Sequence, residues 1–71
     1  MDMAVELSDR VYIMELKCNQ SADEALGQIK AKGYAERYQG RGKEIVLVGI
    51  NFDTGERRVT EWKTEKLSSR N

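Results

Sequence analysis

The sequence has no histidine and no proline, and it holds a single cysteine, Cys18. Without histidine, neither Ser-His-Asp nor Cys-His catalysis is available, which leaves carboxylates, lysine and tyrosine as the chemically useful side chains. One cysteine excludes an internal disulfide and any zinc site built on several cysteines. The longest apolar runs fall far short of the roughly 20 residues that span a bilayer, and the N-terminus shows no signal-type segment. We therefore expect an intracellular, cytoplasmic protein without a membrane partner.

Length and charge restrict the fold and the partners. The 71 residues allow one small domain, and a domain of this size buries only about 60% of the surface of its unfolded chain. Apolar residues make up 39% and charged residues 34%, which is typical of a globular piece. Basic and acidic residues number 12 each, so no overall basic excess indicates a nucleic-acid partner.

Alternating side chains predict two paired strands at the start of the chain. Residues 1–7, MDMAVEL, alternate apolar and polar or mixed positions, and residues 10–17, RVYIMELK, follow the turn candidate Ser8-Asp9. The period of two places Glu15 and Lys17 on one face, at the charged end of an otherwise apolar strand.

The next segment has helical spacing. Ser21 and Glu24 have the form of a capping box, and Gly33 fits a helix C-cap. Residues 34–40, YAERYQG, can add a further turn or two.

Two more strands complete the pattern. Residues 44–52, EIVLVGINF, are apolar on both faces, as in a central strand, whereas residues 57–65, RRVTEWKTE, predict a polar edge strand. Between them we expect a turn with a positive φ at Gly55, and we expect Trp62 to be a packing residue.

The order of elements is therefore ββαββ, an α/β domain with a mixed sheet and one principal helix, spanning residues 1–71 as a single domain. One helix covers only one face of such a sheet. We expect the second face to be covered by part of a longer native chain or by another copy of this chain.

In a hairpin closed over Ser8-Asp9, the residue numbers of each opposed pair add up to 17. Asp2 therefore lies opposite Glu15. Like charges in that relation are destabilising. A bound divalent cation would explain why two carboxylates lie opposite each other, since Mg²⁺ is held by one or two carboxylates with waters and substrate phosphate. Lys17 would then lie beside the ion, where its ammonium could orient water or stabilise charge on a phosphoryl oxygen. The alternatives are a solvated strand end, or a three-residue turn that shifts Asp2 to the opposite face.

The segments MDMAVELSDRVYIMELK, EALGQIKAKGYAERY and IVLVGINF together resemble a known family. They are similar to the PD-(D/E)xK nuclease superfamily, and most closely to the nuclease-like domain found C-terminal to an AAA-ATPase-like domain in many bacterial proteins. The resemblance extends from Asp2 to about Trp62. Its most specific part is E-L-K after an apolar strand, with an aspartate 13 residues before the glutamate.

The resemblance implies a partial restriction-endonuclease-like core and a metal-dependent nuclease that cleaves phosphodiester bonds, in DNA rather than RNA. It implies that Asp2, Glu15 and the main-chain carbonyl of Leu16 bind Mg²⁺ or Mn²⁺, and that Lys17 is the catalytic lysine. Gln28 and Tyr34 lie where related enzymes carry a helix Gln and Tyr near the site, although the spacing here is longer.

The chain also departs from the superfamily, whose core begins with a helix and a strand before the motif aspartate. We therefore expect a fragment of a larger polypeptide with an upstream ATPase-like domain, inactive alone and prone to form homo-oligomers. Two other functions stay open, namely a non-catalytic binding or assembly module of such a protein and a structural dimerisation piece.

Several residues have plain structural interpretations as well. Gln28 could form a helix-to-strand hydrogen bond, and Tyr34 and Tyr38 could pack as an aromatic pair. A loosely basic region could meet phosphates or be solvated surface. It comprises Lys30, Lys32, Arg37, Arg41 and Lys43.

Overall fold

The structure, a computed structural model, describes residues 2–67. Its elements are β1 (Asp2–Glu6), β2 (Arg10–Cys18), α1 (Ala22–Lys32), a 3-10 segment (Tyr34–Tyr38), β3 (Glu44–Asp53) and β4 (Arg58–Leu67). The ββαββ order with one principal helix confirms the predicted α/β class. Met1 of the predicted first strand, and residues 68–71 of the predicted single domain, lie outside the described residues.

The four strands form one mixed sheet in the order β1-β2-β3-β4. The outer pairs are antiparallel, and the central pair, β2 with β3, is parallel. Parallel neighbours need a crossover connection, which α1 provides. The two strands that are apolar on both faces are thus the central ones, and the polar β4 lies at an edge, as the sequence predicts.

The first hairpin has the predicted register. The Leu7 amide donates to the Arg10 carbonyl at 2.7 Å, so the chain reverses over Ser8-Asp9. Asp2 is consequently paired with Glu15, which confirms the sum of 17 and rules out the shifted alternative for this structure.

Helix α1 begins and ends as its caps predict. The Ser21 hydroxyl accepts the Glu24 amide at 3.0 Å, and Gly33 adopts the left-handed conformation at φ 67° with its amide on the Lys30 carbonyl. The chain then continues into the 3-10 segment. No helix in residues 2–67 combines the length and the apolar character that crossing a bilayer requires.

The core lies between α1 and one face of the sheet. Gly49 lets the helix approach β3 closely, because a Cβ there would collide with the Ala22 carbonyl and the Leu26 side chain. The largest fully buried side chains at this interface are Val11, Ile13, Ile29, Ile45 and Leu47. This packing fixes α1 over the strands that carry Glu15.

The opposite face of the sheet, here called the open face, is not covered by any described element. By strand alternation it carries Met3, Val5, Leu7, Tyr12, Met14, Leu16, Val46, Val48, Ile50, Phe52, Val59 and Trp62. Trp62 is 68% exposed, Met3 51% and Leu7 48%. The prediction that Trp62 is a packing residue is therefore wrong within residues 2–67, because the side chain points to the side without a helix.

The turn between β3 and β4 differs from its prediction. The left-handed residue is Arg57, at φ 59°, and not Gly55. The Asp53 carboxylate accepts the amides of Gly55 and Glu56, and the Arg57 amide returns to the Asp53 carbonyl at 2.6 Å. These bonds make one helical turn after Asp53, so the reversal falls two residues later than the glycine.

Candidate metal centre

Asp2 and Glu15 lie side by side at the end of the first hairpin. In an antiparallel pair, hydrogen-bonded and non-hydrogen-bonded residue pairs alternate, and the latter bring side chains closest together. Counting from the bonded pair Leu7 and Arg10, the pair Asp2 and Glu15 is of the close kind. Both carboxylates therefore project from the helix-facing side of the sheet within reach of each other.

The two carboxyl groups differ in burial and in proton affinity. Glu15 is only 2% exposed, whereas a third of the Asp2 side chain, 31%, is exposed. Burial, and then the hydrogen bond and negative charge of Asp2, raise the pKa of Glu15. The hydrogen bonds that Asp2 receives, first from Glu15 and then from Tyr34, hold the pKa of Asp2 far below its usual range. Of the two carboxyl groups, Glu15 is thus the one that holds its proton to higher pH.

A lysine and a tyrosine from the end of α1 complete the cluster. The Lys32 ammonium lies 3.2 Å from Asp2 Oδ2 and 4.0 Å from Glu15 Oε1, and the Tyr34 hydroxyl donates to Asp2 Oδ2 at 2.7 Å. Contact with Asp2 raises the pKa of both Lys32 and Tyr34. Tyr34 is a predicted site residue that the fold brings to the pair.

Lys32 was predicted only as part of the basic region. No signal in the sequence separates it from the other basic residues, because its contacts with Asp2 and Glu15 depend on tertiary packing.

The other predicted site residues form no hydrogen bond or ion pair with the Asp2 carboxylate within residues 2–67. Lys17 is half-buried on the face of Glu15, beside Asn51 of β3, and it forms no ion pair within residues 2–67. Gln28 is half-buried on α1, and no side-chain hydrogen bond joins it to another described residue, including the helix-to-strand bond. Leu16 follows Glu15 on β2 with its side chain on the open face. The roles of Lys17, Gln28 and the Leu16 carbonyl stay predictions.

Most of the basic region is engaged in ion pairs. Lys30 contacts Glu65 at 2.7 Å, and Arg41 and Lys43 contact Glu6 at 3.0 and 2.8 Å. Only Arg37 of the five lacks an ion pair in the part of the chain that the structure describes.

A cleft opens next to the carboxylate pair, between β1 and the 3-10 segment. Its volume is about 290 Å³. The lining residues are Asp2, Met3, Ala4, Ile13, Tyr34, Arg37 and Tyr38. Asp2 thus belongs both to the pair and to the wall of the cleft.

The donor set fits a hard divalent cation. Mg²⁺ needs only one or two protein carboxylates, because waters and substrate phosphate supply the other oxygens. Asp2 and Glu15 are such a pair, and a cation between them would offset the burial and the neighbouring negative charge that raise the pKa of Glu15. Residues 2–67 contain no group of three or more His, Cys, Asp and Glu side chains suited to a metal. A zinc or multi-ligand site therefore does not fit the described residues.

Comparison with known proteins agrees with this arrangement. The model of the PD-(D/E)XK nuclease superfamily matches residues 1–62. The chain is 40% identical over 68 residues to an "Uncharacterized protein in vnfD 5'region" of Azotobacter chroococcum mcd 1, covering 93% of this chain and 13% of that protein. No solved structure matches. The match over most of the chain shows that it belongs to the PD-(D/E)XK nuclease superfamily.

Proposed function

We propose that this chain is the metal-binding part of a nuclease that hydrolyses phosphodiester bonds in nucleic acid, with Mg²⁺ or Mn²⁺ held by Asp2 and Glu15. The observation that carries the proposal is the close pairing of these carboxylates on adjacent strands, one of them buried. A sheet gains nothing from two opposed carboxylates. A cation between them removes the repulsion and explains why both are present.

The chain's own residues have distinct roles in this proposal. Asp2, Glu15 and the Leu16 carbonyl bind the cation, which supplies Lewis-acid stabilisation to the phosphate. Tyr34 orients Asp2, since its hydroxyl already donates to Oδ2. Lys17, on the face of Glu15, orients the attacking water or stabilises charge on a phosphoryl oxygen. Gln28 faces substrate or water from α1.

The wider protein is part of the same proposal. The chain spans only 13% of its Azotobacter relative. We propose that it functions in the cytoplasm within a longer polypeptide that carries an ATPase-like domain, and that its substrate is DNA rather than RNA. The resemblance to nuclease-like domains next to ATPase-like domains supports this context.

The test is cleavage of nucleic acid by purified longer protein that contains this chain. With Mg²⁺ we expect it to nick DNA, and we expect Glu15→Ala and Lys17→Ala each to abolish the nicking. Lys66→Ala, which removes an exposed ammonium on the edge strand, is the control that should retain activity. Cleavage that persists in both Glu15→Ala and Lys17→Ala would dispose of the assignment.

A second candidate function is a non-catalytic binding or assembly module. The open face favours it, because exposed apolar side chains such as Trp62, Met3 and Leu7 mark interaction surfaces. Metal binding separates the two functions. If the chain is part of a nuclease, calorimetric titration of the longer protein should show Mn²⁺ binding that is lost when Asp2 or Glu15 is substituted. Absence of binding at millimolar Mn²⁺ would favour the assembly role.

A further inference from the structure

The cleft beside the carboxylate pair has no role in the proposed chemistry. We propose that it holds one unpaired nucleobase of the substrate, next to the phosphate that is cleaved, while Arg37 binds the adjoining phosphate. The substrate class is then single-stranded nucleic acid, or a frayed or extruded nucleotide. This inference rests on the proposed function for the position of the cleaved phosphate.

The position of the cleft is the first reason. Asp2 forms part of its wall and part of the carboxylate pair, and Tyr34 lines the cleft while its hydroxyl binds the Asp2 carboxylate. A phosphate at the pair therefore has its own nucleoside, or the next one, at the mouth of the cleft. The sugar joins this phosphate to its base, so a base is the nearest ring of the nucleic acid with a flat apolar face.

The size and the lining of the cleft suit a base. At about 290 Å³ it is slightly smaller than typical small-molecule sites of roughly 300–1,000 Å³, which suits a single base. Two tyrosines, Tyr34 and Tyr38, provide aromatic surface, and Ala4 and Ile13, on the same face of the sheet as Asp2, provide apolar surface. Aromatic walls bind every base through its π-face, which gives affinity without sequence preference.

The charge at the cleft suits the attached phosphate. Arg37 lines the cleft and forms no ion pair in the described part of the chain. Its neighbour Arg41 is engaged, since it contacts Glu6 and lies 5.2 Å from the Tyr38 ring centroid. Arg37 is thus the cation of this region that is available for a phosphate.

Strand selectivity follows from the geometry. A base inside the cleft cannot stay stacked and paired in a duplex, so a duplex must first give up that pairing. A single strand has no pairing to lose. We expect the chain to bind single strands in preference to duplexes, whatever their sequence.

The experiment measures binding without cleavage, by fluorescence anisotropy in EDTA with the 71-residue chain. The probes are a labelled mixed-sequence ten-nucleotide single strand and the matching duplex. We expect the single strand to bind at least about tenfold more tightly. Ala4→Phe, which fills the cleft from an exposed β1 position, should weaken single-strand binding at least about fivefold and leave duplex binding unchanged.

A matched pair of variants tests the arginine. Arg37→Gln should weaken single-strand binding and reduce the slope of log affinity against log salt by about 0.7. Arg57→Gln removes an exposed arginine from the β3–β4 turn, outside the cleft, and should change the slope less. Circular dichroism and thermal melting verify that each variant is folded.

The inference fails if the duplex binds as tightly as the single strand, if Ala4→Phe binds like the unmodified chain, or if no single strand binds. These outcomes are separate from the test of the proposed function. Metal-dependent nicking lost in Glu15→Ala, together with no effect of Ala4→Phe, would overturn the cleft alone. Selective single-strand binding together with nicking unchanged in Glu15→Ala and Lys17→Ala would overturn the catalytic assignment alone.

Discussion

At the scale of single residues, the account depends on how one charge is compensated. Burial and the hydrogen bond and charge of Asp2 raise the pKa of Glu15, and Lys32 adds an ammonium at 3.2 Å from Asp2 and 4.0 Å from Glu15. A divalent cation would supply more positive charge at the same place. The buried carboxyl of Glu15 therefore resists ionisation.

That resistance predicts the effect of Glu15→Gln on stability. Because the pKa of Glu15 is raised on folding, the folded state binds its proton more tightly than the unfolded state, and stability falls as pH rises from the unfolded pKa through the folded one. Glutamine keeps a hydrogen-bond donor for Asp2 and never ionises. In urea unfolding with EDTA we expect the free energy of unfolding of the variant, compared with that of the unmodified chain, to be more favourable at pH 8 than at pH 4.

Glu36→Gln is the matched control, since it makes the same substitution at an exposed position on the 3-10 segment. A Glu15→Gln variant that loses stability between pH 4 and pH 8 as steeply as the unmodified chain would contradict a raised pKa of Glu15.

Lys32 predicts a second effect, on metal affinity. Its ammonium contacts the carboxylates that would hold the cation, and an ammonium and a divalent cation about 4 Å apart repel by about 2 kcal/mol even in water. We expect Lys32→Gln to bind Mn²⁺ at least about fivefold more tightly in a calorimetric titration. The control is Lys30→Gln, on the same helix as Lys32, which breaks a surface ion pair with Glu65 of β4. It should leave the Mn²⁺ affinity unchanged. Weaker Mn²⁺ binding in Lys32→Gln would mean that the lysine holds the carboxylates in place.

At the scale of elements, the packing of α1 against β3 determines the positions of Lys32 and Tyr34. Gly49 leaves no room for a side chain, whereas Gly27, on the exposed side of α1, has nothing within 4 Å of a Cβ. We expect Gly49→Ala to destabilise the chain by about 1–3 kcal/mol through overpacking. Gly27→Ala should stabilise it by up to about 1 kcal/mol through helix propensity. Urea unfolding measures both, and an equal effect of the two substitutions would contradict the close contact.

The elements also show what a sequence can specify. Alternation and the length of the Ser8-Asp9 turn were sufficient to predict the pairing of Asp2 with Glu15, because both are local properties of one hairpin. Caps predicted the limits of α1 for the same reason. The place of Lys32 could not be predicted, since it depends on how the end of α1 lies against β1, which is a matter of packing.

Two further differences have similar causes. The left-handed residue moved from Gly55 to Arg57 because side-chain bonds from Asp53 reshaped the turn. The sequence could not distinguish Arg37, which forms no ion pair in residues 2–67, from the other basic residues. Which of them are paired depends on the acidic side chains that the fold brings near each one.

At the scale of the whole molecule, one helix leaves the open face of the sheet exposed. Exposed apolar side chains such as Trp62, Met3 and Leu7 on one face mark an interaction site when they cluster. We expect the isolated 71-residue chain to sediment as a homo-oligomer at micromolar concentrations. Trp62→Ser, which removes a side chain that is 68% exposed, should shift it toward monomer without loss of secondary structure by circular dichroism. A concentration-independent monomer that binds no hydrophobic dye would contradict the prediction.

The central claim is that Asp2 and Glu15 together hold one divalent cation. Its most direct test is paramagnetic broadening of the backbone amide signals by Mn²⁺ in nuclear magnetic resonance spectra of the chain, with Asp2→Asn and Glu15→Gln as variants. The account predicts saturable broadening centred on the amides around Asp2 and Glu15, and its loss in each variant. Broadening that is centred elsewhere, or that persists unchanged in both variants, would contradict it.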